Sequence, residues 1–416
     1  MKIVSIGQGI TLCLLPNEKF KTNYFSVNFI NKLTDKDVAL NALIPNVLIR
    51  GCEKYRDLLS INKRLDELYG ATFNTFIRKK GDAQIVSFSI EFLKNELAFD
   101  NDDVLYNSLD FLFQIIDKPL LVNEAFDNNF VEQEKKNLID FINSQINDKR
   151  TFAIIRCIEE MCKNEAYGIY EYGKIENVEN ISSNSLYESY IKLLKNSQML
   201  IFFEGICNEK ILIKKINENI EQNNSQKFST DILLKKQDLK NIVQELDVNQ
   251  CKLTLGFRLG KIENPKDIVE YALLNTIFGG SPHSKLFENV REKLSLCYYC
   301  ASRIEKHKCI MFVYSGVEEK NKDLAFNEIL AQLNEIKKGN ITNIEFMAAK
   351  KSLKNLYISS EDSVAQTEDF YIGQYLLNLN LSPAGTANMI DTVSIQDIVN
   401  KANMIYLDTV YFLKGK

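Results

Sequence analysis

An arginine and a tyrosine in the last third of the sequence have residue types and a spacing that could support chemistry. Arg291 lies near the end of an amphipathic stretch, and Tyr298 follows seven residues later (298 − 291) at the start of a tyrosine-rich segment. The change of periodicity predicts a cation at the end of a helix and a phenol at the head of a strand. On spacing alone, the arginine could equally pair with a glutamate of its own helix, and the tyrosine could be an ordinary strand residue.

A glycine pair, Gly279 and Gly280, precedes that helix. Backbone amides at a helix N-terminus can bind an anion. A plain tight turn is the alternative interpretation, because a double glycine also marks a chain reversal.

Few other residues offer catalytic groups. The chain has two histidines, His283 and His307, and their separation of 24 residues (307 − 283) excludes a zinc site built on two histidines one helical turn apart. We interpret His283 as a capping or surface residue and His307 as a solvated residue at a hairpin tip. The nine cysteines fit reduced thiols, and Cys297 and Cys300 are interpreted as core residues rather than a zinc or redox pair.

Composition excludes several classes of partner. Apolar residues make up 45% of the 416 residues, charged residues 25%, and the net charge is −4, which is typical of a globular protein and argues against a general nucleic-acid or membrane-surface binder. Residues 1–15 lack a signal-peptide core, and no apolar run reaches about 18 residues. We therefore expect a cytoplasmic protein with no nucleic-acid partner and no membrane contact.

Hydrophobic periodicity predicts the elements that position these residues. Strands and helices follow one another in the order of an α+β protein, with two tandem domains that each pack a mostly antiparallel sheet against several helices. A polar stretch at 221–243 predicts a linker between domains at 1–220 and 244–416. A shift of 227 residues (291 − 64) supports the repeat, because it superimposes predicted helix, strand and turn without a gap.

The second domain carries the residues of a known family. The run Gly280-Ser281-Pro282-His283-Ser284-Lys285-Leu286-Phe287, and Val290-Arg291-Glu292-Lys293 followed by Tyr298, resemble the second half of pitrilysin-like, insulinase-type metallopeptidases of the H-x-x-E-H class. The similarity covers essentially the whole chain. The chain is similar to small bacterial members that work in two-chain pairs and to mitochondrial processing peptidase. This resemblance implies a fold that forms one half of a clamshell.

The family's zinc motif is missing from the first domain. Aligned on Gly51, the two histidines of the motif would fall at Ala42 and Asn46, and its glutamate at Pro45. The family's third ligand would fall at Phe141. The resemblance therefore implies that this chain holds neither zinc nor the glutamate that serves as general base.

The resemblance also implies a role for the residues that remain. In active members the arginine and tyrosine that match Arg291 and Tyr298 hydrogen-bond the carbonyl oxygen as it becomes an oxyanion, and here they would act in trans on a partner's zinc site. Asn74 matches the region of the family's peptide-binding edge strand, and Gly279 and Gly280 are the further substrate-binding candidates.

Three functions are compatible with the sequence. The first is a non-zinc subunit that encloses a peptide and completes the site of a zinc-bearing H-x-x-E-H partner in a heterodimer, with no cofactor of its own. The second is a scaffold subunit of the same fold with no catalytic role, which a homodimer without a partner would favour. The third is an active peptidase with an unusual metal site.

Overall fold

Alternation of apolar and polar residues along the strands builds two main sheets, one in each of two compact units. The computed structural model describes residues 1–99, 102–220, 225 and 227–415. The first unit comprises Met1–Asn143 with Ile169–Ser229, and the second comprises Ser144–Gly168 with Thr230–Lys416. The compact units differ from the predicted domains at 1–220 and 244–416, because residues 144–168 belong to the second unit. The predicted domains describe homologous halves of the sequence and remain a prediction.

Both units draw on the same kinds of element. The strands are β1 (Lys2–Gly7), β2 (Ile10–Pro16), β3 (Thr22–Lys32), β4 (Thr72–Lys80), β5 (Ala83–Leu93), β6 (Leu121–Val122), β7 (Ala125–Phe126), β8 (Gln198–Gly205), β9 (Lys240–Leu246), β10 (Cys251–Arg258), β11 (Cys297–Glu305), β12 (Ile310–Val317) and β13 (Tyr406–Gly415). The α-helices are α1 (Val38–Leu48), α2 (Leu58–Glu67), α3 (Val104–Asp117), α4 (Asn128–Ser144), α5 (Lys149–Met161), α6 (Ile175–Glu179), α7 (Ser183–Asn196), α8 (Glu209–Asn219), α9 (Pro265–Phe278), α10 (Lys322–Lys337), α11 (Asn343–Ser360), α12 (Val364–Leu376), α13 (Pro383–Met389) and α14 (Ile395–Asn403). A π-helix spans Leu286–Lys293.

The two sheets share one topology. The first has the order β1-β2-β8-β3-β5-β4, and the second has the order β11-β12-β10-β13-β9. Read from the other end, β9-β13-β10-β12-β11 matches β2-β8-β3-β5-β4, and the first sheet adds β1 beyond β2. The pairs β9–β13 and β2–β8 are parallel, while the other pairs are antiparallel. The predicted α+β class with tandem domains is confirmed.

The register of the repeat also agrees with the prediction. Strand β5 begins at Ala83 and β12 at Ile310, which is the predicted shift of 227 (310 − 83). Both hairpin tips carry a left-handed residue, Gly81 with φ 53° and Cys309 with φ 55°. A glycine accepts that conformation without strain, whereas the cysteine adopts it at some cost.

Some elements of the structure lie outside the predicted pattern. The predicted linker extends to residue 243, but its last four residues begin strand β9, which pairs in parallel with β13. Residues 221–224 and 226 of that linker lie outside the described residues. Strands β1 and β9 and helices α13 and α14 were not predicted. The two strands carry mixed polar residues and have no fully buried face. Within the described ranges, no helix is long and apolar enough to cross a membrane.

An ion network explains why 144–168 belongs to the second unit. Arg258 at the end of β10 is 1% exposed. Its guanidinium donates to both carboxylate oxygens of Glu165, at 2.6 and 3.1 Å, and to Asp408 Oδ2 at 3.1 Å. Lys308 adds an ion pair to Glu165 at 3.1 Å. Since a buried charge is costly unless it is paired, these contacts hold the 144–168 segment against the second sheet.

We predict that Arg258→Leu strongly destabilises the protein. Removing the guanidinium leaves the carboxylates of Glu165 and Asp408 without their main partner, which typically costs about 3–5 kcal/mol. Urea unfolding followed by circular dichroism will measure the loss. Lys338→Ala is the control because its pair with Glu335 lies on the surface, with the Lys338 side chain 66% exposed. Equal urea midpoints for the two variants would contradict the assignment.

The same network predicts a pH dependence. Burial alone would raise the pKa of Glu165, but the hydrogen bond and charge of Arg258, with the charge of Lys308, lower it below the ordinary value of 4.5. A carboxylate whose pKa is lowered by folding contributes its full stabilisation above the ordinary pKa of 4.5. That contribution is lost as the pH falls through the lower, folded-state pKa. In urea titrations from about pH 6 to about pH 3, Glu165→Gln should therefore lose less stability than the wild type. Parallel curves would refute this.

Candidate functional site

Helix α1 carries three of the replaced zinc-motif positions. Ala42 is 1% exposed and Pro45 is also buried, while Asn46 is half-buried. The helix is continuous through Pro45, although proline has no amide proton to donate. A methyl group and a pyrrolidine ring have no lone pair for a metal, so this helix serves the core.

Helix α4 carries the fourth position. Phe141 packs its ring against Tyr172, with ring centroids 4.8 Å apart. Glu134 lies seven residues earlier (141 − 134). It accepts a hydrogen bond at 2.5 Å from Nε of Arg50, a residue just beyond the end of α1. Burial, with a smaller contribution from the charge of Glu171, raises the pKa of Tyr172 above its ordinary value. The position that would supply a carboxylate ligand therefore belongs to an aromatic contact.

These residues do not fit zinc. Among the described residues, no group of three or more histidine, cysteine, aspartate or glutamate side chains could hold a metal ion. Zinc needs three or four nitrogen, sulfur or carboxylate ligands in tetrahedral geometry. The three ligand positions instead hold the methyl group of Ala42, the amide of Asn46 and the ring of Phe141, which do not form such a set.

Arg291 lies in the last turn of the π-helix. Its side chain is 40% exposed, its guanidinium carbon lies 4.6 Å from the Phe287 ring centroid, and its Nε lies 3.6 Å from a carboxylate oxygen of Glu292. The wider turn of a π-helix is often found at functional sites. Both contacts are local and exposed, so they leave the guanidinium accessible to a further partner.

Tyr298 occupies a β-bulge. Cys297 pairs with Val317 and Tyr299 pairs with Gly316, so Tyr298 is the extra residue between them. Its side chain is 65% exposed. A bulge leaves its extra residue out of the ladder and re-aims the side chain.

Sequence periodicity missed this bulge, although one signal was present. Gly316 lies inside an apolar strand, and a glycine there often marks a bulge or a close approach. The structure brings Arg291 and Tyr298 to the same end of β11, because the Leu296 amide donates to the Val290 carbonyl at 3.1 Å and joins the end of the π-helix to the start of the strand. Within the described residues no hydrogen bond joins the two side chains.

The glycine pair forms a tight turn. The amides of Gly279 and Gly280 both donate to the carbonyl of Asn275, at 2.9 and 2.7 Å, and so close helix α9. A Cβ on Gly279 would lie 2.7 Å from Ser302 Oγ, so a side chain there would not fit. Because both amides are engaged, the pair's observed role is to end the helix beside β11, and substrate binding by it remains a prediction.

Asn74 lies on strand β4, at the edge of the first sheet. Among the described strands β4 pairs only with β5, and Asn74 is opposite Ser89. Thr72, Asn74 and Phe76 are exposed while the residues between them are half-buried. The strand therefore presents a free backbone edge with Asn74 on its outer face.

The remaining sequence candidates are two histidines and two cysteines. His283 is exposed, but His307 is 4% exposed, with Nδ1 2.8 Å from Glu305 Oε1 and Nε2 3.2 Å from the Gly373 carbonyl oxygen. The prediction that His307 is solvated is wrong, because helix α12 covers the hairpin tip. Cys297 and Cys300 are buried core thiols, as predicted.

A cavity of about 400 Å³ lies elsewhere in the first unit. Its walls come from α3, α7, the end of α8 and the sheet strands β3 and β8. Because its lining includes none of the candidate residues, it does not belong to the candidate site.

Comparison with known proteins decides the family. The sequence signature described as "Peptidase M16 inactive domain" matches residues 180–353. Over 409 residues the chain is 31% identical to "Probable inactive metalloprotease YmfF" of Bacillus subtilis strain 168, with 98% of this chain and 96% of the relative covered. The chain belongs to the M16 peptidase family.

Two further comparisons bear on this assignment. "Uncharacterized zinc protease YmfH" of Bacillus subtilis strain 168 is 22% identical over 302 residues, covering 69% of this chain and 67% of the relative. The crystal structure of a conserved protein from Enterococcus faecalis V583 superimposes with a TM-score of 0.92 at 27% identity, covering 100% of this chain and 98% of that one. The predicted resemblance to insulinase-type peptidases is confirmed. The chain is an inactive-type M16 homologue, as its motif positions indicate.

We predict that zinc binding requires the missing ligands. The wild-type protein should contain less than stoichiometric zinc, whereas Ala42→His combined with Asn46→His and Phe141→Glu should gain about one equivalent, because three ligands suffice for a catalytic-type site. Metal analysis by mass spectrometry after dialysis will measure this. Asn46→His alone is the control, and stoichiometric zinc in the wild type would contradict the assignment.

Proposed function

We propose that this chain is the non-zinc subunit of a two-chain M16 peptidase. It encloses a peptide and supplies Arg291 and Tyr298 to the zinc site of a partner that carries H-x-x-E-H. One observation carries the proposal: the first unit has lost every ligand position, while the second keeps an exposed arginine and a tyrosine that a bulge turns out of the ladder.

The two side chains suit the stabilisation of an oxyanion. A guanidinium donates from a rigid fork and a phenol donates one O–H, so both can hydrogen-bond a carbonyl oxygen as negative charge develops on it. Neither group needs a metal of its own. The zinc, the activated water and the general base belong to the partner, which acts as the catalytic subunit.

The substrate in this proposal is an extended peptide. A peptide strand can pair with the free edge of β4, where main-chain hydrogen bonds provide affinity and alternate side chains provide selectivity. Asn74 can donate to and accept from such a strand through its amide. The glycine pair Gly279 and Gly280 lies beside β11, where the Ser302 amide donates to the Gly279 carbonyl at 3.0 Å, and we retain it as a second substrate contact.

A heterodimer is the assembly that this function requires. Bacillus subtilis contains both a relative named as an inactive metalloprotease and a relative named as a zinc protease, which supports pairing of the two types. A homodimer would lack zinc on both chains. We place the pair in the cytoplasm.

The decisive experiment mixes this protein with a zinc-bearing M16 homologue from the same genome. We expect peptide cleavage, followed with a quenched fluorescent peptide, to rise when both chains are present. Tyr298→Phe should lower kcat by about 10²–10³-fold, as loss of an oxyanion donor does in other hydrolases. Arg291→Ala should lower kcat in the same direction.

The matched control is Tyr106→Phe, which removes a hydroxyl from another exposed tyrosine, 45% exposed, in the first unit. It should leave cleavage unchanged. Cleavage that is equal with and without this chain would refute the proposal. Stimulation that survives both Tyr298→Phe and Arg291→Ala would instead identify a scaffold subunit, for which the local contacts of Arg291 with Phe287 and Glu292 would be sufficient.

A further inference from the structure

We infer that Arg150, on helix α5, is a positioning residue for Tyr298. It holds the bulge in which Tyr298 lies by stacking on the next residue, Tyr299. The consequence for catalysis rests on the proposed function, but the structural step does not. No sequence pattern around Arg150 pointed to this role, because the contact joins residues 149 positions apart (299 − 150).

The first step is the freedom of the bulged residue. Tyr298 has no partner in the ladder with β12, so its direction is set by how its neighbours on either side are held. On one side, Cys297 is 8% exposed and lies with Cys300 in the second core. That side of the bulge is therefore fixed by packing.

The second step concerns Tyr299 on the other side. Its ring lies across Gly316, since a Cβ built on Gly316 would stand 2.7 Å from Tyr299 Cε1. The ring also contacts Tyr314, with centroids 6.4 Å apart. Glycine opposite an aromatic residue leaves the strand surface open for the ring, but gives it no side chain to pack against.

Arg150 supplies that missing contact. Its guanidinium carbon lies 4.9 Å from the Tyr299 centroid and 4.5 Å from the Tyr314 centroid, and Lys252 Nζ lies 5.7 Å from Tyr299. Burial raises the pKa of Tyr299 to about 12, an effect that the charge of Arg150 partly opposes. The ring is therefore neutral near pH 7, and the contact is a cation–π interaction.

The helix dipole does not favour a cation at this place. Arg150 is the second residue of α5, and a positive charge there opposes the helix dipole. Asp148 caps the same turn and accepts hydrogen bonds from the amides of Arg150 and Thr151, at 3.0 and 3.2 Å. The cap fixes the start of the helix, so the arginine is delivered to the two rings from an ordered backbone.

The experiment compares Arg150→Ala with Arg150→Lys in the two-chain cleavage assay. Arg150→Ala should lower kcat by about two- to fivefold with KM unchanged, which corresponds to an exposed cation–π contact. Arg150→Lys, which keeps the cation, should recover part of the loss. In a Tyr298→Phe background, Arg150→Ala should have no further effect, because the residue acts through that hydroxyl.

A second measurement does not depend on the partner. In protein labelled with fluorotyrosine, the fluorine NMR resonance that is absent from Tyr298→Phe identifies Tyr298. Arg150→Ala should shift or broaden it. Arg156→Ala is the matched control, because Arg156 lies on the same helix but pairs with Glu159, Glu160 and Gln244.

The outcomes separate the two proposals. If the wild type does not stimulate the partner, the proposed function fails, and the NMR measurement alone decides the role of Arg150. An unchanged Tyr298 resonance in Arg150→Ala would overturn this inference. So would a loss of kcat in the Tyr298→Phe background as large as the loss in the wild type.

Discussion

The second unit depends on a single buried guanidinium. Arg258 ends a central strand of the sheet, and Asp408, which it contacts, lies on the adjacent strand β13. Neither can be left unpaired in the core, and Asp408 cannot satisfy all the donors of the arginine. Glu165 completes the set, and because it belongs to 144–168, the sheet is electrostatically satisfied only when that segment is in place. The ion network therefore determines which unit the segment joins.

This constraint reaches the candidate site through helix α5. The helix packs on β10 at Gly256, where a Cβ would stand 2.6 Å from Met161 Sδ, so a side chain there would displace the methionine. Cys157 and Met161 share a buried cluster with Phe312 of the second sheet. Glu165 fixes the segment that follows α5, and this packing fixes the middle of the helix. The first turn of α5 then places Arg150 against the rings beside the bulge. A charge in the core and a tyrosine on the surface are thus linked by one rigid helix.

Sequence reasoning was successful where local signals set the structure. Apolar periodicity and turn glycines predicted most helices and hairpins, and the 227-residue shift predicted that one topology would occur twice. It could not find the bulge at Tyr298, which is defined by pairing with a strand far along the chain. The burial of His307 likewise depends on Gly373 in a later helix, and strand β9 has too few apolar residues to reveal itself. For the candidate site, residue types at motif positions were predictable, whereas the contacts that orient them were not.

The candidate positions of the two units differ in their surroundings. In the first, Ala42 belongs to the core, Asn46 is half-buried and Phe141 packs on Tyr172, so the former ligand positions no longer offer a set of ligands to a metal. In the second, the backbone around Tyr298 is held by core thiols on one side and by a stacked ring on the other, yet the phenol itself is 65% exposed. Packing a bulge so closely around an exposed side chain adds nothing to the core. It is useful where a hydroxyl must stand in a fixed direction for a group outside the chain, because preorganisation of a donor is what gives it effect in catalysis.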